Sequence, residues 1–184
     1  AITKYDTSGT SRIYSTYLGG TKDELPHSMI VNHSNELFVF GTTASDDFPT
    51  TNSAYQKSFK GGPSLSTLGL GVVFPNGSDI FISSLNSTGG DLLSSTFLGG
   101  SGNDGLNIAP ELRYNYADEV RGEIDIDNNN NVYIATCTKS ADFPSINSLQ
   151  SLNKGSQEGC VVKMDNKLTS IIWSSYIGGS KDDA

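Results

Sequence analysis

Ile13-Tyr14-Ser15-Thr16-Tyr17-Leu18-Gly19-Gly20 returns as Leu93-Ser94-Ser95-Thr96-Phe97-Leu98-Gly99-Gly100, and again as Ile172-Trp173-Ser174-Ser175-Tyr176-Ile177-Gly178-Gly179, 80 and then 79 residues further on. Each copy runs into a polar turn containing aspartate: Asp23, Asp104, and Asp182 with Asp183. Such self-similarity marks one supersecondary unit used several times, whose apolar faces are buried only when neighbouring units stack.

The spaces between these anchors repeat as well. Asn35-Glu36-Leu37-Phe38-Val39-Phe40-Gly41 matches Asn131-Val132-Tyr133-Ile134-Ala135-Thr136-Cys137, and each leads to a shared latch, Asp47-Phe48-Pro49 and Asp142-Phe143-Pro144. Asp79-Ile80-Phe81-Ile82-Ser83-Ser84-Leu85 matches Glu158-Gly159-Cys160-Val161-Val162-Lys163-Met164, and Ile2-Thr3-Lys4-Tyr5-Asp6 matches the end of that segment. Each period thus holds four strand-like runs: A (28–32; 123–127), B (36–41; 131–136), C (79–86; 159–165) and D (91–98; 170–177). Gly, Asn, Asp and Pro turns bound them. Continuous apolar runs such as Leu37-Phe38-Val39-Phe40 are what strands buried on both faces require. Four antiparallel strands per repeat define a blade, so the expected fold is an all-β propeller.

The four motifs, in this order, resemble the bacterial seven-bladed β-propeller repeat (the SBBP repeat). The resemblance covers nearly the whole chain apart from two insertions. It implies a seven-bladed ring in a secreted or surface-exposed protein of gliding, type IX-secreting bacteria, and brings no shared catalytic set.

The arithmetic leaves the ring open. Residues 1–18 supply the end of one blade, 28–98 and 121–177 are full blades, and 178–184 begin the next turn, about two and a half blades in all. A closed propeller has about 4–8 blades. The partners expected first are therefore further blades, from a longer polypeptide or from other copies of the chain. The chain opens inside a strand, so the true start of the gene product is expected further upstream. Each open face is expected to carry about six to eight large apolar side chains, at about 1.5–3 kcal/mol each when buried. That is on the order of the net stability of a domain.

Two insertions depart from the repeat, 62–78 in a B–C loop and 102–119 in a D–A connection. Strand directions alternate, so both emerge on one face, together with the latches. They either pack on each other or present a surface for another protein or a glycan. Leu68, Leu70, Phe74, Tyr114 and Tyr116 are the candidate contact residues.

Composition limits the chemistry. The 184 residues carry a formal net charge of −8 with Lys and Arg scattered singly, which argues against nucleic acid and against anionic membranes. No apolar run is long enough to span a membrane. The two histidines, His27 and His33, have no metal-binding spacing, and no serine sits in a Gly-x-Ser-x-Gly elbow. Asp47 and Asp142 recur once per blade, which suits capping of the latch better than a glycosidase acid pair. No cofactor is expected. Calcium is the alternative at Asp125, Asp127, Asn129 and Asn131, whose alternating oxygens suit a hard cation, although the same segment also reads as a plain A–B turn. Cys137 and Cys160 are either two small buried apolar residues or a disulfide.

The function expected from these features is a non-enzymatic extracellular scaffold that presents a binding face for adhesion or surface assembly. The alternatives are a propeller domain of a carbohydrate-active enzyme, with its acids in other blades, and a structural spacer in a long surface protein.

Overall fold

The computed structural model describes residues 1–67 and 71–184. The chain is all-β with antiparallel sheets, and its one helical element among the described residues is a 3-10 turn at Pro110–Leu112. The strands are β1 (Ile2–Tyr5), β2 (Arg12–Thr16), β3 (Glu24–Val31), β4 (Leu37–Thr43), β5 (Leu65–Ser66), β6 (Val73–Phe74), β7 (Asp79–Leu85), β8 (Leu92–Leu98), β9 (Glu123–Ile126), β10 (Val132–Thr138), β11 (Glu158–Met164) and β12 (Ile171–Ile177). They form a β1–β2 hairpin, two four-stranded sheets ordered β3-β4-β7-β8 and β9-β10-β11-β12, and a small β5–β6 ribbon. Both four-stranded sheets run in chain order, as the A–B–C–D reading of the repeat requires.

The first A strand begins four residues before the expected Ser28. Pro26 cannot donate to the ladder, and the register shifts between Pro26 and Ser28, so an apparent break in the sequence is a bulge inside a longer strand. Strands C and D are joined by the same turn three times. Asp6, Asn86 and Asp165 accept backbone N–H groups from the turn ahead, and Gly9, Gly89 and Leu168 adopt φ of 71°, 70° and 57° at one shared position. The oxygen-bearing side chain supplies the hydrogen bonds that such a reversal leaves open.

Each sheet has a forward face, towards the next sheet in the chain, and a rear face. Phe38, Phe40, Ile80, Ile82 and Leu98 on the forward face of the β3–β8 sheet form the main core with Ile124, Val132, Ile134, Val162, Met164 and Tyr176 of the β9–β12 sheet. On its rear face, Leu37, Val39, Phe81, Leu85 and Phe97 pack with Ile2 and Leu18 of the hairpin region. The middle sheet is therefore covered on both sides, and every residue of β4 and β7 is buried. Between the two full sheets the inner strands β3 and β9 lie side by side, while no such approach joins the outer strands β8 and β12.

The outer faces carry less apolar bulk than the six to eight side chains expected. The rear of the hairpin exposes Tyr5, Ile13 and Tyr17. The forward face of the β9–β12 sheet holds Tyr133, Val161, Trp173 and Ile177 beside Ala135, Gly159 and Lys163, by the cross-strand register. Small and charged residues stand there where the middle sheet has Phe40, Ile80 and Ser84.

Candidate functional site

The loop face is built on joints between sheets, and each joint is a cage around a carboxylate. At the second joint Asp104 accepts hydrogen bonds from Gly100 N at 2.7 Å, from Ser140 Oγ at 2.9 Å and from Thr138 Oγ1. The two hydroxyls themselves accept from Gly102 N at 2.8 Å and Ser140 N at 2.9 Å, which leaves the proton of each free to point at the acid. The first joint repeats this with Glu24, which accepts from Gly20 N at 3.3 Å, Thr43 Oγ1 at 2.9 Å and Ser45 Oγ at 2.5 Å. Asp183 accepts from Gly179 N at 2.7 Å in the same way. The repeated acid is thus Glu24, Asp104 and Asp183. Asp23 and Asp182, singled out in the sequence, sit beside the cage, because a carboxylate four residues after the second glycine is the one that folds back onto its N–H.

A second carboxylate, from strand C, flanks the second and third joints. Asp79 accepts from Lys60 N at 2.8 Å, Gly61 N at 2.9 Å and Gln56 Nε2 at 3.2 Å. Glu158 does the same for Lys154 N and Gly155 N, both at 2.7 Å, and for Gln150 Nε2 at 3.4 Å. The Gln-x-x-x-Lys-Gly spacing at 56–61 and 150–155 is a legible repeat that the sequence reading passed over. Gly99 lies between the two acids of the middle joint. A Cβ there would meet Asp104 Oδ2 at 2.6 Å and Asp79 Oδ1 at 2.9 Å, so no side chain fits. Burial pushes Asp104 up to about 7 and Asp79 up to about 6, against the hydrogen bonds that favour their ionised forms.

The latch residues fasten each sheet to the turn before it. Asp47 Oδ1 accepts from Thr21 N at 2.9 Å, and Asp142 Oδ1 accepts from Ser101 N at 2.7 Å. Pro49 O accepts from Ser95 Oγ at 2.6 Å and Pro144 O from Ser174 Oγ at 2.7 Å. Phe48 stacks on Phe81 with centroids 4.5 Å apart, and Phe143 meets Tyr176 edge-on at 6.2 Å. Each latch thus spans a turn, a core and an outer strand.

The two insertions pack on each other. Phe74 of the first is buried with Ala44 and with Leu106 of the second, flanked by Leu65, Val72 and Ile108. Phe74 is therefore a packing residue and not the surface contact expected of it. Leu68 and Leu70 lie outside the described residues. The second insertion is pinned by Gln157, whose Oε1 accepts from Ile108 N at 2.8 Å and whose Nε2 donates to Asn107 Oδ1 at 2.8 Å. Asp118 closes its tip, accepting from Tyr114 N and Asn115 N at 2.8 Å each, and these bonds hold its carboxyl at about 2. Tyr114 and Tyr116, both 81% exposed, project from this braced loop.

The 125–131 segment is an A–B turn that does not fit a cation. Asp127 accepts from Asn129 N and Asn131 N at 2.9 Å each, and from Asn131 Nδ2 at 2.9 Å, and it pairs with Lys163 Nζ at 3.0 Å. The Asn131 hydrogen bond and the Lys163 ammonium keep its carboxyl well below the usual range. Asp125 turns its Oδ1 to Ile126 N at 2.8 Å and stays exposed. The matched turn of the first full sheet uses Asn32 Oδ1 for the same task, accepting from Ser34 N and Glu36 N at 2.9 Å each. Where asparagine serves equally, the oxygen is needed for the turn. Among the described residues no group of three or more His, Cys, Asp or Glu side chains converges on a point.

Thr136 pairs with Cys160 and Cys137 with Gly159, so the two thiols belong to opposite faces of the sheet, and both are free. Burial raises Cys137 to about 12 and Cys160 well above its ordinary value. His27 lies against Phe40 with its Nε2 3.0 Å from Thr42 Oγ1, and burial lowers it to about 4. Among the described residues no helix is long and apolar enough to cross a membrane. Neither a scan against protein-family models nor a search of curated proteins returns a match to this chain.

Proposed function

We propose that the chain is a sector of a β-propeller of the SBBP-repeat kind, serving as a non-enzymatic extracellular scaffold. Its loop face presents a binding surface to a cell-surface protein or glycan, for adhesion or surface assembly. The observation that carries this reading is the braced insertion pair. Two loops that break the repeat fold onto one buried Phe74–Leu106 cluster and hold Tyr114 and Tyr116 in water. Exposed tyrosines on a rigid support are costly to solubility and well suited to contact, because an aromatic ring offers large area with little entropy to lose. The propeller part of the reading is supported by sheets stacked face to face, with their A strands together and their D strands apart. Further sheets of the same repeat would cover the outer faces.

The test is binding of the purified chain to a glycan array and to intact cells of its source, compared with Tyr114→Ser/Tyr116→Ser. Expected is saturable binding that falls at least tenfold in the variant, with an unchanged melting temperature. Binding that ignores both tyrosines would remove the loop face as the contact surface.

A further inference from the structure

The forward face of the middle sheet departs from the repeat in one row. The hairpin sets Lys4 opposite Tyr14, and the β9–β12 sheet sets Tyr133, Lys163 and Trp173 in line across three strands. In the same row the middle sheet has Phe38, Ser84 and Ser94. Tyr14 fills its place, since a Cβ on Gly89 of the neighbouring C–D turn would sit 2.4 Å from its Cδ2. Two serines in place of a lysine and an aromatic ring leave space, and a pocket of about 300 Å³ stands there between the two full sheets. That volume lies at the lower end of the range of about 300–1,000 Å³ for small-molecule sites. Both walls are sheets of this chain, so the pocket does not depend on what adjoins either outer face.

The lining offers hydrogen bonds at several points. Ser84 and Ser94, 2% and 5% exposed, share one hydrogen bond at 2.7 Å between their hydroxyls. Two hydroxyl protons and one bond leave one proton without an acceptor among the described residues, and a buried donor left so is costly. Asn130 of the facing A–B turn brings a half-buried side-chain amide that bonds to no described residue. Asn166 of the facing C–D turn gives its Nδ2 to Asn129 O at 3.3 Å, which leaves its Oδ1 for a ligand. Phe38 supplies an apolar wall. Glu36 and Lys167 both stand at the rim, so its formal charge sums to zero. The two sheets are tied beside the pocket, where Tyr55 N donates to Leu168 O at 2.9 Å.

We propose that this pocket binds a neutral sugar ring. Serine hydroxyls and asparagine amides both donate and accept, as sugar hydroxyls do, and the C–H face of a sugar suits the Phe38 wall. A phosphate or a lone carboxylate would call for positive charge in excess, which the rim does not have. The pocket is framed by A–B and C–D turns, at the end of the strands opposite the insertions. It is therefore a second site, and it stands whether or not Tyr114 and Tyr116 make the contact proposed above.

Saturation-transfer NMR of the 184-residue chain tests it, with the methyl glycosides of glucose, galactose, mannose and N-acetylglucosamine titrated through the millimolar range. Saturable binding of at least one of them is expected, weakened at least tenfold by Ser94→Tyr, which restores the aromatic ring of the other two repeats. Ser84→Ala/Ser94→Ala removes the hydroxyls without adding bulk. Asn130→Gly removes the amide at a φ of 60°, which glycine adopts freely. Both are expected to weaken binding at least tenfold while the melting temperature holds. Tyr114→Ser/Tyr116→Ser is expected to leave this binding unchanged, so a failure of the pocket and a failure of the loop face are read separately. No binding by any of the four sugars, or binding that survives all three pocket variants, overturns the proposal. Binding of free serine in their place also overturns it, and would assign the pocket to a zwitterion held between Glu36 and Lys167.

Discussion

β7 and β11 are the same strand of the repeat, yet all seven residues of β7 are buried while β11 alternates buried and half-buried along its length. The difference lies in what stands on the forward side. In β7 the forward residues are Ile80, Ile82 and Ser84, pressed against a neighbouring sheet. In β11 they are Gly159, Val161 and Lys163, facing out. Lys163 reaches Asp127 at 3.0 Å and lies over the Tyr133 ring at 4.7 Å, so its charge is met within its own sheet. A strand's burial is thus a property of the stack, and the forward residues of β11 differ in size and charge from those of β7.

The largest effect expected from breaking this comparison is a matched pair of truncations. Ile82→Ala opens a cavity in the shared core and should cost about 2–5 kcal/mol. Val161→Ala, at the matched position of the open face, should cost under about 1 kcal/mol at concentrations where the chain is monomeric. Urea unfolding measures both, and equal costs would mean that β11 is covered as β7 is.

The buried joint gives the next effect. Asp104 and Asp79 titrate at about 7 and about 6 in the folded chain, above the 3.8 of an ordinary aspartate, because burial disfavours their charge. An acid whose folded pKa is raised stabilises the fold while protonated. Its contribution is full below about pH 4 and is lost as the pH climbs to 7. At about 1.4 kcal/mol per unit, Asp104 alone accounts for up to about 4 kcal/mol across that window. The urea midpoint should therefore fall between pH 4 and 7, and Asp104→Asn should flatten the fall. A slope that persists in Asp104→Asn and Asp79→Asn alike would assign the titration elsewhere.

The smallest effect sharpens the joint itself. Asp142→Ala removes two hydrogen bonds to Ser101 and should cost about 1 kcal/mol. Asp47→Ala should act in the same direction at the hairpin joint. A loss confined to one of the two variants would show that the joints are not equivalent.

Strand existence and order were legible because continuous apolar runs and Gly-rich turns carry local information that a repeat states more than once. Asp127 and Asn32 at equivalent turns also point, from sequence alone, to an oxygen needed for geometry. The roles of Phe74 and the cysteines were not legible. Nothing in a local pattern says that Phe74 turns inward on Leu106, 32 positions away. The two cysteines look pairable until the ladder sets Cys160 opposite Thr136.

The sequence by itself determined four-stranded units, their order and the glycine, latch and turn positions, since backbone sterics and hydrogen bonding act over a few residues. Only the tertiary structure decided which acids enter the cages, that the insertions brace each other, and which faces stay open. Those outcomes depend on groups 20 to 50 residues apart, and close packing, not local preference, selects among them.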